Sequence, residues 1–172
     1  MSENSGTVFF VMGVSSSGKS TVGRLLAQQL GFPFYDGDDY HPKANVLKMS
    51  KGEPLNDDDR LPWLLKIREL AMEKGIPGCV IACSALKATY RQTLTDGLPH
   101  QVQWVYLAGD YQTILARMQK RTGHFMPEEL LRSQFDTLEA PDDAITVPLE
   151  SSPSEQVAQI INLWKPKRKS GL

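Results

Sequence analysis

A glycine- and serine-rich loop between an apolar segment and an amphipathic segment constrains this chain more than any other feature. The loop, Gly13–Ser20, follows the pattern G-x-x-x-x-G-K-[ST] and stands directly after the apolar run Val8–Met12. Its glycines allow the backbone to turn around an anion, which the N–H groups and the dipole of the following helix then face. Lys19 is placed to reach the β- and γ-phosphates of a nucleotide, and Ser20 to bind Mg²⁺. The sequence therefore predicts a nucleotide-binding site on a strand, a loop and a helix.

Strand-like and helix-like segments alternate along the chain. Apolar runs predict five strands, at Val8–Met12, Phe34–Tyr35, Cys79–Cys83, Val102–Leu107 and Ala144–Val147. Helical spacing predicts helices at Lys19–Leu30, Pro42–Met49, Asn56–Lys74, Lys87–Thr95, Asp110–Thr122, Pro127–Leu138 and Ser154–Trp164. We expect Asn56 and Ser154 to cap their helices. This alternation predicts an α/β fold with a parallel sheet covered on both faces, and 172 residues fit one domain.

Composition and charge argue against several function classes. The 19 Lys and Arg against 20 Asp and Glu give a formal net charge of -1, without the positive excess of a nucleic-acid-binding protein. The apolar runs are too short to cross a bilayer, and the first residues do not resemble a signal peptide. Cys79 and Cys83 lie in an apolar segment, where core packing explains them better than a disulfide. We therefore expect a cytoplasmic protein with no nucleic-acid and no membrane partner.

A bound nucleotide leaves the reaction open between a kinase, a hydrolytic switch and a motor. Switches and motors normally have an acid at the end of a buried strand, but the third predicted strand ends in Cys83-Ser84-Ala85. The second predicted strand leads into Asp36, which is placed to supply the missing acid. Asp38 follows two residues later, and on an extended stretch the two carboxylates point to the same side. Short kinases that act on small metabolites are arranged in this way.

Several further blocks of sequence resemble a known family. They are Met12–Ser15, Gly18–Ser20, Tyr35–Pro42, Gly52–Arg60, Pro62–Leu64, Ala82–Lys87, Tyr90–Arg91, Gly123–Phe125 and Ser133–Glu139. Over this stretch the chain resembles the gluconokinases, within the shikimate-kinase-like group of P-loop kinases. Leu55–Arg60 and Ala82–Lys87 are specific to gluconokinases, whereas the loop alone is not. Ser16 departs from the family pattern, which has glycine there, and a serine with positive φ costs about 1 kcal/mol.

The resemblance implies a fold and a reaction. The fold is the P-loop kinase three-layer sandwich of the nucleoside-monophosphate-kinase type, with a five-stranded parallel sheet and a mobile lid at about residues 121–137. The reaction is ATP-dependent phosphorylation of the 6-hydroxyl of D-gluconate with Mg²⁺, in a cytoplasmic homodimer. A kinase for another hydroxy acid such as shikimate, or a nucleotide-binding regulatory module, stays open. The strand end Cys83-Ser84-Ala85 speaks against shikimate, because shikimate kinases have a glycine run there.

By resemblance, ATP and Mg²⁺ bind at the loop and at the helix that leads into the lid. The expected Mg²⁺ ligands are Ser20 and Asp36. Arg117 and Arg121 share one helix face, where the first would stack on adenine and the second would cover the transferring phosphates. The expected nucleotide-binding residues are Gly13, Val14, Ser15, Ser16, Ser17, Gly18, Lys19, Ser20, Thr21 and Arg117, and the expected catalytic residues are Lys19, Asp38 and Arg121.

A substrate such as gluconate needs a cation for its carboxylate and an acid near the reacting hydroxyl. Asp38 is expected to orient that hydroxyl or to accept its proton. Arg60 matches the position that grips the substrate carboxylate in the shikimate group, and a planar guanidinium suits a carboxylate. Lys87 and Arg91, one helical turn apart, either complete the anion site or form a surface pair. The expected substrate-binding residues are Asp38, His41, Arg60, Lys87, Arg91 and Gln134.

Two residues of that set have open roles. His41 either donates a hydrogen bond to a substrate hydroxyl or caps the short helix before Pro42. Gln134 is expected to contact the substrate or the lid, without a role that the sequence specifies.

Overall fold

A computed structural model of the chain describes residues 5–121 and 127–164. Within these residues one parallel sheet has the strand order β2-β3-β1-β4-β5, with β1 at Thr7–Met12, β2 at Phe34–Asp36, β3 at Gly78–Ala82, β4 at Gln101–Ala108 and β5 at Ile145–Pro148. The α-helices are α1 Lys19–Leu30, α2 Lys43–Ser50, α3 Asp57–Lys74, α4 Ala88–Thr95, α5 Tyr111–Lys120, α6 Glu128–Thr137 and α7 Pro153–Leu163. The predicted α/β fold with a five-stranded parallel sheet is confirmed, with element ends shifted by at most two residues.

The centre of the sheet is apolar because helices cover both of its faces. From β1 the chain crosses to β2 at one edge of the sheet, and from β2 it returns across the sheet through β3 and β4 to β5 at the other edge. Because both crossovers are right-handed, this reversal of direction places α1 and α3 on opposite faces of the sheet. Neighbouring residues of a strand point to opposite faces. Accordingly, the ring of Phe10 stacks on Trp104 at 4.7 Å, whereas Phe9 meets Trp164 at 5.0 Å. Cys79 and Cys83 are free and buried, as expected, and burial raises the pKa of each thiol to about 12.

The register of the sheet gathers the loops at the carboxyl ends of three strands. Val11 of β1 and Asp36 of β2 both pair with Ala82 of β3. The loops after β1, β2 and β3 therefore begin side by side. Gly37 makes this possible for β2, since a Cβ there would lie 2.5 Å from the carbonyl oxygen of Ala82.

One predicted helix cap is confirmed and another is wrong. Asn56 caps α3 in a reciprocal capping box with the third helical residue. The cap of α7 is Ser152 and not Ser154, because the Ser152 hydroxyl accepts a hydrogen bond from the Glu155 N–H at 3.2 Å. The helix then begins at Pro153, whose fixed φ and missing N–H suit the first helical position.

The stretch from Asp36 to Asp38 forms a turn, and not the extended stretch on which the two carboxylates would point to the same side. A short 3-10 helix, Gly37–Tyr40, begins directly after Asp36. The Asp36 carboxylate accepts a hydrogen bond from the Asp38 N–H at 3.0 Å, which turns the chain at this point. The two acids are therefore neighbours through a turn and not through the alternation of a strand.

The lid predicted for residues 121–137 is described only in part. Residues 122–126 lie outside the described residues, while Arg121 follows the last residue of α5 as its C-cap and Glu128–Thr137 form α6. The mobility of this segment stays a prediction. None of the helices within residues 5–121 and 127–164 is long and apolar enough to cross a membrane.

The position of the α7 cap gives a direct stability test. Ser152→Ala should lower the free energy of unfolding by about 1 kcal/mol, because the Glu155 N–H loses its acceptor. Ser154→Ala is the matched control and should leave stability unchanged or slightly higher, since alanine is the better helix former. Urea unfolding of both variants measures the difference. A larger loss in Ser154→Ala than in Ser152→Ala would contradict the assignment.

Candidate functional site

Two adjoining cavities form a cleft at the carboxyl ends of the strands. The small cavity has a volume of about 220 Å³ and is lined by residues that include His41, Arg60 and Trp63. The large cavity has a volume of about 560 Å³ and is lined by the loop and by Arg121. Residues common to both linings mark their junction: Ser15, Lys19, Asp38, Val46, Met49 and Leu130. A lysine and a carboxylate thus stand where a group could pass from one cavity to the other.

The backbone of the loop after β1 has the shape of an anion cradle. Gly13 has a φ of +151°, and a Cβ there would lie 2.8 Å from the Ser17 hydroxyl and 3.1 Å from the carbonyl oxygen of Leu107. Ser16, which stands where the family pattern has glycine, has a positive φ of 64°. A serine in this backbone conformation lowers the stability of the fold by about 1 kcal/mol relative to glycine. The N-terminus of α1 follows, and among the described residues no side chain caps it. Its first N–H groups are therefore available to an anion in the large cavity.

The side chain of Lys19 folds back onto the loop and lines both cavities. Its ammonium donates to the carbonyl oxygens of Gly13 and Val14, each at 3.0 Å. Desolvation lowers the pKa of Lys19 and the charge of Arg121 adds to this, while Asp38 and Asp36 oppose the shift. An anion at this place would reverse that balance, because it would stabilise the charged ammonium.

The two acids after β2 differ in their surroundings. Asp36 accepts a hydrogen bond from the Ser20 hydroxyl at 2.8 Å, so the two predicted Mg²⁺ ligands are in contact. Asp38 opens onto the cleft, yet the protein atoms around it remove part of its hydration. This desolvation raises the pKa of Asp38, the charge of Asp36 raises it further, and Lys19 opposes the shift.

The donor set fits magnesium. In the part of the chain that the structure describes, no group of three or more His, Cys, Asp or Glu side chains could hold a metal ion by itself. Magnesium in phosphoryl-transfer sites typically binds one or two protein oxygens and takes its other ligands from phosphate and water. The hydroxyl of Ser20 and the carboxylate of Asp36 supply two such oxygens at the edge of the large cavity.

His41 is held as a neutral ring against Trp63. The rings stack at 4.1 Å, and the Trp63 indole donates to the carbonyl oxygen of Gly37 at 2.8 Å. Burial, followed by the charge of Arg60, lowers the pKa of His41 to about 4. The Asn45 amide lies 3.2 Å from Nδ1, so Nδ1 accepts and the ring proton is on Nε2. Because the side chain lines the small cavity, this geometry favours contact with a substrate over a purely capping role.

Of the three cations predicted for an anionic substrate, Arg60 and Lys87 line one cavity beside the cleft, and Arg91 lies apart from them. Arg60 lines the small cavity. Lys87 is paired with Asp57 at 3.1 Å near the rim. Arg91 lines neither cavity, and its guanidinium donates to backbone carbonyl oxygens, at 2.8 Å for Ala85 and 3.0 Å for the segment after α6. The prediction that Arg91 binds substrate therefore finds no support in the structure, since those carbonyls already hold its guanidinium.

Arg117 in α5 and Arg121 directly after α5 also have different surroundings. Arg121 lines the large cavity, as predicted for a residue that covers phosphates. Arg117 donates to the carbonyl oxygen of Leu149 at 2.5 Å, and it is not among the residues that line the cleft. Thr21, at the start of α1, lines the large cavity as expected. The structure thus brings Arg121 to the loop and leaves Arg117 beside the segment after β5.

Gln134 makes a contact that the sequence did not reveal. Its side-chain oxygen accepts from the Ser15 N–H at 2.7 Å, and its amide nitrogen donates to the Ser15 hydroxyl at 3.2 Å. Both atoms of the amide thus bind one residue of the loop, so α6 is fixed to the junction of the two cavities. No local signal could have shown this, because 119 residues separate the partners.

Three residues that the sequence did not single out contact predicted site residues: Asn45 and Trp63 contact His41, and Tyr90 contacts Arg60. Asn45 is buried although polar, and it also donates to the carbonyl oxygen of Asp59 at 2.9 Å. Trp63 and Tyr90 stood inside the blocks that carry the family resemblance, which was the only available signal. Composition and the spacing of residues along the chain do not specify which partners the polar atoms of these side chains contact.

The lowered pKa of His41 predicts a pH dependence of stability. The unfolded histidine titrates near pH 6.5 but the folded one near pH 4, so the unfolded state binds more protons between these values. Stability contributed by the neutral ring is therefore complete above about pH 6.5 and is lost as the pH falls towards 4. The wild type should lose more unfolding free energy than His41→Gln between about pH 7 and pH 4.5, as measured by urea unfolding. Equal losses in the two proteins would contradict a buried neutral His41.

A family model described as "Shikimate kinase" matches residues 15–163. The curated "Thermosensitive gluconokinase" of Escherichia coli K12 is 51% identical over 139 residues, which cover 79% of this chain and 73% of that protein. The "Probable gluconokinase" of Mus musculus is 44% identical over 92% of this chain and 97% of its own length. The crystal structure of a gluconokinase from Sinorhizobium meliloti 1021 superposes with a TM-score of 0.83 at 42% identity, and covers 91% of this chain and 90% of that one.

Proposed function

This chain belongs to the gluconokinases, within the shikimate kinase family, and we propose that it transfers the γ-phosphoryl group of ATP to the 6-hydroxyl of D-gluconate. The products are 6-phosphogluconate and ADP. The observation that carries the proposal is the pair of cavities that share Lys19 and Asp38. ATP occupies the large cavity, gluconate occupies the small one, and the phosphoryl group passes between them at this junction.

On the nucleotide side, the chain supplies positive charge where the transferring group gains negative charge. The loop N–H groups and the N-terminus of α1 bind the phosphates, and Lys19 neutralises charge on the oxygens of the group in transfer. Arg121 lines the same large cavity and adds a second cation beside the phosphates. Bound at Ser20 and Asp36, Mg²⁺ would supply further charge neutralisation at the phosphates.

On the acceptor side, Asp38 orients the 6-hydroxyl and accepts its proton. A carboxyl whose pKa is raised is a better base than an ordinary one, provided that it is ionised at the working pH. Arg60 binds the carboxylate at the other end of the substrate, and the Nε2–H of His41 donates to a hydroxyl between these ends. The small cavity, at about 220 Å³, suits a ligand of a few carbons rather than a large one.

Three finer expectations belong to the same proposal. The contact between Ser20 and Asp36 supports a requirement for Mg²⁺. A homodimer and a cytoplasmic location rest on the family resemblance alone. Gel filtration with light scattering tests the first of these two, and fractionation of cells that express the protein tests the second.

A coupled assay of ADP formation tests the function itself. The purified protein should consume ATP rapidly with D-gluconate and Mg²⁺, and slowly with shikimate or without an acceptor. Lys19→Ala should nearly abolish the reaction while the circular dichroism spectrum stays unchanged, because the charge on the transferring group loses its main partner. Equal ATP consumption with and without gluconate would instead favour a slowly hydrolysing regulatory module, and a preference for shikimate would favour the other kinase.

The two neighbouring acids Asp38 and Asp39 provide a matched pair for the catalytic step. Asp38→Asn should lower kcat by about 10²–10⁴-fold, because the amide cannot accept the proton of the 6-hydroxyl. Asp39→Asn removes the same charge one residue away and should leave kcat within about twofold, since Asp39 lines a groove outside the cleft. Steady-state kinetics with gluconate varied at saturating ATP measures both. Similar losses in the two variants would show that Asp38 acts only through the general charge of this turn.

A further inference from the structure

The cation Arg60 is held by a connected group of polar side chains, of which Asp57 begins the same helix α3, while Lys87 and Tyr90 lie at and in the first turn of α4. Its Nη1 donates to the Tyr90 hydroxyl at 3.0 Å, and its guanidinium carbon lies 5.3 Å from the centre of the Tyr90 ring. The Tyr90 hydroxyl in turn donates to the carboxylate of Asp57. Lys87 donates to the same carboxylate at 3.1 Å. The contacts run in the order Lys87, Asp57, Tyr90, Arg60, from the rim of the cleft to the wall of the small cavity.

We propose that Tyr90, Asp57 and Lys87 form a positioning relay, which fixes Arg60 in the small cavity and thereby makes the site selective for a carboxylate-bearing substrate. The inference rests on the proposed function, in which Arg60 binds the carboxylate of gluconate. The relay residues themselves do not touch the substrate. They act through the guanidinium that does.

The protonation states of the relay residues determine which atom donates and which accepts in each hydrogen bond. Burial raises the pKa of Tyr90, and its bond to Asp57 raises it further, so the phenol stays protonated. The phenol donates its single proton to Asp57, and its oxygen still has a lone pair that accepts the hydrogen bond from Arg60. A guanidinium has five N–H donors, and the contact with Tyr90 uses one of them. The remaining edge can bind a carboxylate in the two-pronged geometry that a flexible arginine would reach only at an entropic cost.

In this proposal Lys87 supports Arg60 through Asp57 and does not bind the substrate carboxylate itself. The bonds from Tyr90 and then Lys87 lower the pKa of Asp57, which therefore remains charged and keeps Lys87 paired near the rim. The side chain of Asp57 is 65% exposed, so the pair contributes little to stability. The pair instead affects orientation, because Asp57 accepts the proton of the Tyr90 hydroxyl and also holds Lys87 away from the substrate carboxylate.

Tyr90→Phe tests the relay by removal of one oxygen atom. The ring under Arg60 remains, but the guanidinium loses its acceptor and becomes free to reorient. The KM for gluconate should rise about tenfold, while kcat stays within about twofold and the KM for ATP is unchanged. Tyr106→Phe, which removes a hydroxyl from β4 away from the cleft, is the matched control and should alter none of these constants.

A second variant covers the case in which Tyr90→Phe folds poorly, since Tyr90 is only 4% exposed. Asp57→Asn changes an exposed residue, keeps the size of the side chain and removes its charge. It should raise the KM for gluconate about threefold, again without a change in the KM for ATP. An unchanged gluconate KM in both folded variants, or a loss confined to kcat, would overturn the relay.

The Arg60→Lys background separates positioning from general support of the fold. If the hydroxyl acts through Arg60, then Tyr90→Phe should add less than about twofold to the KM of Arg60→Lys, because the group being positioned is already gone. A full tenfold addition would show that Tyr90 acts on the site by another route and would overturn the proposal. Failure of the wild type to phosphorylate gluconate would be a different result, because it would refute the proposed function before any variant is compared.

Discussion

The alignment of three parallel strands at their carboxyl ends is the constraint on which the rest of the site depends. Asp36, Ala82 and Val11 stand level in β2, β3 and β1, so the loops that follow them begin within one small region. Parallel strands all end in the same direction, and for this reason ligands of open α/β sheets bind outside their carboxyl ends. The anion cradle follows β1, and the two acids Asp36 and Asp38 stand at the end of β2 and in the turn directly after it. A shift of β3 by one residue would separate them and turn its buried side chains to the wrong faces.

The electrostatics of the cleft follow from partial burial of opposite charges at the junction. Lys19 and Asp38 are each poorly hydrated there, so the pKa of the lysine is lowered and the pKa of the carboxyl is raised. Ionisable groups with shifted pKa values are common at functional sites, where burial and neighbouring charges act together. The Lys19 ammonium donates to two carbonyl oxygens of the loop. A bound nucleotide would draw the ammonium from those oxygens to its phosphates, because charge-assisted bonds are stronger.

Distant side chains hold the walls of the cleft in place. Gln134 joins α6 to the loop through Ser15, and Trp63 joins α3 to the turn after β2 through the carbonyl of Gly37. Arg91 ties the segment after α6 to the loop after β3 through backbone carbonyl oxygens. Each of these contacts joins a helix to a loop at the strand ends. The substrate side of the site is therefore supported from several elements, as precise positioning of reacting groups requires.

The sequence by itself determined the order of strands and helices, the anion loop and the helix cap at Asn56, because these depend on residues that are close in the chain. Periodicity of apolar residues and the local chemistry of glycine, serine and asparagine act over a few positions. Only the tertiary structure decided that Arg60 faces the small cavity while Arg91 binds carbonyl oxygens, and that Gln134 reaches a loop 119 residues away. A charged or polar side chain takes whichever partner the fold brings within about 3 Å. That partner is set by packing of distant segments, which the spacing of residues along the chain does not encode.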